Sequence, residues 1–322
     1  MPDSIDYSRK PVLILGASGF IGSRVAAALE RSPIYRPVAA SRRSAISVDA
    51  TDMQSVLRAL REVDCVVNCV AGKDDAMVRA AQMLCDAARS APPRRIVHLS
   101  SMAVYGAATG SVTEDHGPVE PVSLYGRAKI ACEEIVGRYV RDGGDAVILR
   151  PSCVFGPDST QWTTRLIRLL RAGRLGDLGA GGDGGCNLAF IDDVVGAIVA
   201  ALDAPDVSGR TFNISSSADL TWNEFLTAFG KALGATPIRR IPGRTLRIET
   251  RILAPFRRAA AKAVKAGWTE AITPSLAALF RQDIRIDSGA AQSALWLHRT
   301  PPEQMIAAVL RDNRTKQELA AV

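Results

Sequence analysis

The apolar run PVLIL at residues 11–15 leads directly into Gly16-Ala17-Ser18-Gly19-Phe20-Ile21-Gly22, and a helical pattern follows. A strand, a glycine turn and a helix in that order constrain the fold more than any other feature of the chain. Free N–H groups at such a helix start face an anion, and the helix dipole favours negative charge there. Gly16 permits the tight turn, Gly19 lets the backbone approach a pyrophosphate, and Gly22 lets the helix pack closely on the sheet. Ser18, Phe20 and Ile21 share the loop and are counted with it as cofactor contacts. Glycines also occur in ordinary turns, so the GxxGxxG spacing draws its weight from its place after the first apolar strand.

Short apolar strands are predicted at 37–40, 64–70, 95–100 and 146–149, with helices at 23–31, 52–61, 77–91 and 123–140. This alternation implies a parallel sheet covered on both faces, with ligands bound at the carboxyl ends of its strands. After Pro151 the rhythm loosens. Helices are predicted at 162–171, 192–202 and 221–233, and a strand at 210–214. A glycine-rich loop with a short strand is expected at 173–185, then a mostly helical remainder. The expected fold class is α/β, a Rossmann-like doubly wound parallel sheet with a smaller, mostly helical C-terminal substrate lobe. Residues 10–150 make the dinucleotide-binding domain, with 189–214 returning to it, and 151–188 and 215–322 make the lobe.

Six cysteines without a CxxC pair, and only three histidines, give a metal site little support and read as buried thiols in a reducing compartment. Residues 1–10 lack the apolar core of a secretory signal, and no apolar run reaches membrane-spanning length. The expectation is a cytoplasmic protein with no integral membrane segment, no metal and no nucleic-acid partner. The net charge of +7 is uneven. Residues 236–270 hold nine bases (Arg239, Arg240, Arg244, Arg247, Arg251, Arg257, Arg258, Lys262 and Lys265) against Glu249 and Glu270. Nine minus two equals the whole excess. A solvated helical face is the favoured reading, and an anionic substrate or surface the sharper one. Ile248, Ile252, Phe256 and Ala260 recur every four residues among these bases, the pattern of an amphipathic lid or membrane-surface contact, which Pro255 interrupts.

The second strand runs into Ala40-Ser41-Arg42-Arg43, with no acid to bind a ribose 2′-hydroxyl. Ser41, Arg42 and Arg43 can instead hold a 2′-phosphate, which favours NADP over NAD. The alternative is a solvated arginine pair on a loop. Asp49 either reaches the adenine amino group or caps the helix beginning near Asp52. Tyr125 and Lys129 are four residues apart on a predicted helix and share a face. A nearby cation favours an ionised tyrosine, so the pair can act as acid or base near neutrality. Ser101 ends the preceding strand and can hydrogen-bond a substrate oxygen. YxxxK pairs are common on helix surfaces, and this one matters because it follows the glycine loop in the right order. His98 reads as packed within a strand, His116 as solvated and Cys153 as a buried thiol.

The segments GASGFIG (16–22), HLSSMAVYG (98–106), YGRAK (125–129), LRPSCVFGP (149–157), AFIDDVVGAI (189–198) and TFNIS (211–215) resemble the extended short-chain dehydrogenase/reductases, the NAD-dependent epimerase/dehydratase family. The resemblance covers residues 10–235. It implies Ser101, not Ser100, as the catalytic serine, Tyr125 as general acid/base, and Lys129 as the residue that lowers the tyrosine pKa and binds the nicotinamide ribose. It sets Asn68 to Ala71 along the adenosine, Pro151 and Val154 beside the nicotinamide amide, and Gln161, Trp162 and Asn187 in the substrate loops. Asp192 and Asp193 it makes structural. It also implies a small-molecule substrate, anionic if the basic segment faces it, and a homodimer paired through helices.

The departures narrow the chemistry. Dehydratases of the family carry Asp-Glu after the catalytic threonine, whereas Met102-Ala103 stands here, so elimination of water lacks its acid and base. Ser152 stands where nucleotide-sugar enzymes often have asparagine, and Asn187-Leu188 where they often have arginine. The expected activity is hydride transfer between a nicotinamide and a carbinol or carbonyl carbon, with Tyr125 exchanging the proton. One alternative is a nucleotide-sugar epimerase with retained NAD. Another is a non-catalytic, dinucleotide-responsive regulatory protein, whose usual sign, a lost tyrosine or lysine, is not seen.

Overall fold

The computed structural model describes residues 9–41, 46–93, 95–216, 219–254 and 272–312. The first half runs β1 (Lys10–Leu15), α1 (Phe20–Glu30), β2 (Tyr35–Ser41), β3 (Ile46–Ser47), α2 (Met53–Leu60), β4 (Cys65–Asn68), α3 (Asp74–Ser90) and β5 (Arg95–Leu99). Next come β6 (Gly110–Val112), α4 (Leu124–Arg141), β7 (Ala146–Pro151), β8 (Cys153–Phe155), α5 (Arg165–Arg171), β9 (Leu188–Phe190), α6 (Ile191–Ala201) and β10 (Thr211–Ile214). The C-terminal part adds α7 (Trp222–Ala232), α8 (Gly243–Ile248), α9 (Pro274–Arg281) and β11 (Ile284–Ile286).

One sheet has the order β10-β7-β5-β4-β1-β2-β3, and its pairings are parallel. Because β1 lies between β2 and β4, the winding reverses there and leaves a crevice at the carboxyl end of β1. The strands are apolar on both faces because both are covered. Val12 and Ile14 join one core with Val25 and Leu29 of α1, while Leu13 and Leu15 join the other with Val56 and Leu84. The first core continues into the C-terminal lobe through Leu166, Trp222, Phe225 and Phe280. Phe155 of β8 meets Phe225 and Phe229 of α7 edge to face at 5.4 Å, so the strand that leaves the sheet also anchors the lobe.

Local chemistry sets the helix starts. Asp52 caps α2, Ser123 caps α4, and Thr221 with Glu224 makes the capping box expected at α7. Helix α3 starts at Asp74, a turn before the expected Met77, with Asp74 and Asp75 at the positive end of its dipole. Two small parallel pairs, β6 with β11 and β8 with β9, were not expected. Their strands are three residues long and find partners far away in sequence, so no local pattern marks them. The short strand expected within the 173–185 loop is reduced to two isolated bridges, Asp177 to Arg240 and Gly185 to Thr221, because Gly173 and Gly179 adopt positive φ and break any extended run. Among the described residues no helix is long and apolar enough to cross a membrane, and no cluster of metal-ligating side chains occurs.

Candidate active site

The glycine loop is built as a cradle. Gly16 has φ +85°, and a Cβ there would lie 2.7 Å from the Cys69 carbonyl oxygen. A Cβ on Gly22 would lie 2.3 Å from the Gly16 oxygen. The Gly19 N–H donates to the Gly16 oxygen at 2.9 Å, and Gly19 caps α1. These close approaches press the start of α1 against the ends of β1 and β4. The first N–H groups of α1, on Phe20, Ile21 and Gly22, have no acceptor within the helix. Ser18 sits in the same turn. The loop therefore fits a phosphate, through contacts that any larger residue at 16 or 22 would spoil.

The walls beside the cradle are also ordered. The N–H groups of Gly16 and Ala17 reach the Ala40 oxygen at 3.2 and 3.3 Å, which brings Ser41, the last residue of β2, next to the loop. Arg42 and Arg43 lie outside the described residues. Asp49 closes its own turn, accepting from the Thr51 N–H at 2.9 Å and hydroxyl at 2.7 Å, and Asp52 rather than Asp49 caps α2. Buried Asn68 accepts from the Val70 N–H at 3.2 Å and thereby shapes the turn that exposes Ala71. Its amide lies 3.2 Å from His98 Nδ1. Burial lowers the His98 pKa to about 3, so this imidazole is neutral and packed, as the sequence suggested.

Strand β5 delivers Ser101, whose Oγ accepts from the Ala103 N–H and caps a short helical turn at Met102–Tyr105. Tyr125 occupies the first turn of α4 and Lys129 the next. The Ser101 side chain stands close enough to the Tyr125 hydroxyl to favour its ionised form. Lys129 Nζ lies 5.8 Å from the Tyr125 ring centre and donates to the Leu99 oxygen at 2.7 Å. Ser101, Tyr125 and Lys129 are thus brought together. Tyr125 keeps 40% of its surface exposed, yet packing around it raises its pKa, and the nearby Ser101 side chain only partly opposes this. Burial lowers the Lys129 pKa, while Cys132, Cys69 and Glu133 favour its charge. The depressed tyrosine pKa expected from Lys129 is therefore not seen in the protein alone, where desolvation dominates.

Behind this trio runs a buried polar chain. Ser100 Oγ donates to Glu133, and Arg150 binds both Glu133 oxygens at 2.9 and 2.7 Å. Arg150 also donates to the Tyr105 hydroxyl at 2.8 Å, which donates to Asn213 Oδ1 at 2.7 Å. Asn213 Nδ2 reaches the Asp287 oxygen at 3.0 Å, so the chain links the segment around Ser100 and α4 to the C-terminal lobe. Burial works against the Arg150 charge, but the hydrogen bonds and charge of Glu133 outweigh it and push the pKa up. Sequence reading missed these residues. The available signal was Glu133 itself, a charge one turn beyond Lys129 on the inward face of α4.

The remaining candidates divide. Pro151 is buried at the end of β7, and the Val154 oxygen accepts from Ser159 Oγ at 2.9 Å. Gln161 is exposed, and Trp162 stacks on Trp222 at 5.9 Å. Asn187 is not a free polar group. Its amide donates to the Gly185 and Ile284 oxygens at 3.1 and 2.8 Å, and its Oδ1 accepts from the Ile286 N–H at 2.8 Å. This clamp ties its loop to β11 and removes Asn187 from the substrate candidates. Asp193 accepts from Ser216 and Thr300, a structural role as read. His116 closes a turn with Thr113. Burial raises the Cys153 thiol pKa strongly, which leaves it unreactive.

A profile of the NAD dependent epimerase/dehydratase family matches residues 12–215. The chain belongs to that family. Protein YeeZ of Escherichia coli K12 is 31% identical over 164 residues, covering 51% of this chain and 55% of YeeZ. A UDP-glucose 4-epimerase of Mycolicibacterium smegmatis is 32% identical over 159 residues, covering 47% of this chain and 50% of that protein. These matches span about half the length of each relative. The structure of a UDP-glucuronic acid 4-epimerase from Bacillus cereus in complex with NAD superposes with a TM-score of 0.72 at 20% identity. It covers 96% of this chain and 99% of that one, so this epimerase/dehydratase family member shares the complete fold.

Proposed function

We propose that this protein is an NAD(P)-dependent oxidoreductase acting on a carbonyl or carbinol substrate. The observation that carries the reading is the meeting of Ser101, Tyr125 and Lys129 beside a glycine cradle that fits a pyrophosphate. A bound nicotinamide would supply or accept the hydride. Tyr125 Oη gives the substrate oxygen its proton or removes it, and Ser101 Oγ orients that oxygen. Lys129 spends one N–H on the Leu99 oxygen and keeps two for the ribose hydroxyls. Pro151 and Val154 would border a bound nicotinamide's amide. The lobe of residues 151–188 and 215–322 carries the substrate, with Gln161 and Trp162 as candidate contacts.

We read the cofactor as NADP because β2 ends at Ser41 without a carboxylate to meet a ribose 2′-hydroxyl. A UDP-glucose 4-epimerase among the relatives supports a second reading, sugar epimerisation with retained NAD. The deciding measurement is to purify the protein without nucleotide, denature it and weigh any dinucleotide released. Empty protein that binds NADPH more tightly than NADH is expected. Near-stoichiometric NAD would favour the epimerase, and binding of neither dinucleotide would end both readings.

The raised pKa of Tyr125 fixes a pH dependence. A raised value holds the hydroxyl protonated through neutral pH. Carbonyl reduction needs that proton, so its kcat/KM stays flat across neutrality and falls only in the alkaline range. Alcohol oxidation needs the phenolate and rises with pH over the same span. Rate profiles in both directions test this, and a reductive rate that falls across neutral pH would mean that Tyr125 titrates lower in the complex than in the protein alone.

A further inference from the structure

The exposed arginines of the C-terminal lobe sit on an unusual helix. Helix α8 continues through a wider π turn, Glu249–Leu253, to Ala254. Leu246, Glu249, Thr250 and Ala254 are buried on its inner side. Arg244, Arg247, Ile248, Arg251 and Ile252 recur three and four residues apart, so they share the outer side. Ile248 is 50% exposed and Ile252 54%, and the three arginines beside them are exposed. Glu249, the one acid of the stretch, faces inward and pairs with Arg174. Arg239 and Arg240, on the segment leading into α8, are also exposed, with Arg240 3.4 Å from Asp177. Every exposed charge over residues 239–254 is therefore positive.

An outward stripe of isoleucine beside a stripe of arginine is the chemistry of a helix lying in a lipid–water boundary. We infer that this helix docks the protein on an anionic lipid surface, with Ile248 and Ile252 entering the apolar boundary and Arg244, Arg247 and Arg251 at the headgroup phosphates. A second copy of the chain fits this face poorly. Two isoleucines offer far less than the roughly 800 Å² per partner of a stable interface. A two-fold contact would also set arginines against the same arginines. Acidic headgroups supply the missing countercharge and acyl chains the missing apolar cover. The inference does not depend on the proposed reaction.

Co-sedimentation of the full chain with phosphatidylcholine vesicles, with and without phosphatidylglycerol, tests it. Binding is expected only with phosphatidylglycerol, and high salt should release it. Replacing Arg244, Arg247 and Arg251 together with glutamine should weaken binding about 100-fold, near fivefold per charge. Ile248→Ser with Ile252→Ser should weaken it about tenfold or more at unchanged charge. Unchanged far-ultraviolet circular dichroism in each variant verifies that the fold is kept. Wild-type protein that stays in the supernatant at low salt would overturn the inference. So would an isoleucine variant that binds as tightly as wild type, which would reduce the contact to general polyanion attraction. A dimer seen by light scattering and abolished by the isoleucine variant, without vesicle binding, would reassign the face to a protein contact.

Discussion

Tyr125→Phe is expected to lower turnover by about 10²–10⁴-fold, the usual contribution of a positioned proton donor, while dinucleotide affinity changes little. The change removes one oxygen from a side chain that is 40% exposed at the crevice, so the fold should not suffer. Ser101 keeps the Ala103 N–H, so the turn it caps stays formed. Lys129 keeps its bond to the Leu99 oxygen. The loss should appear in kcat with KM nearly constant, because the phenol acts on the reacting oxygen and not on ground-state binding. Steady-state kinetics on any active substrate, beside a dinucleotide titration, decides it. An unchanged kcat would remove Tyr125 from the chemistry.

The second large effect is on stability. Glu133→Ala should cost about 3–5 kcal/mol, because it leaves the Arg150 charge buried without its partner. Arg150 and Glu133 expose only 5% and 7% of their side chains, so water cannot replace the lost carboxylate. Ser100 also loses its acceptor. Glu133→Leu combined with Arg150→Met should recover most of that stability, since an apolar pair leaves no buried charge. Urea unfolding of the two variants and the wild type measures the difference. A Glu133→Ala loss below about 1 kcal/mol would mean that the pair is far more hydrated than its burial implies. The recovered double variant should still lose turnover. Ser100 precedes Ser101, and Glu133 lies one turn beyond Lys129, so the pair is expected to position both of these proposed site residues.

Much of this was legible in the chain. The strand–glycine–helix start, the parallel alternation and the order of Ser101, Tyr125 and Lys129 are local or periodic signals. Each is imposed by backbone sterics or by the covering of a sheet on both faces. The helix caps at Asp52, Ser123 and Thr221 were readable or nearly so, because a cap binds within its own turn. What failed to show was whatever depends on distant partners. Asn187 read as a substrate contact until β11 was seen to occupy its amide, and Glu133 read as one more helix charge until Arg150 lay against it. The basic segment read as a solvated face until, over its described residues, the inward turn of Glu249 left only arginine as exposed charge, beside exposed Ile248 and Ile252. Sequence by itself determined the alternation of strands and helices and the strand–glycine–helix turn, since these follow from patterns within a few residues. Tertiary structure decided which polar groups are already committed and which still face outward, because burial and pairing are properties of what the chain brings together from afar.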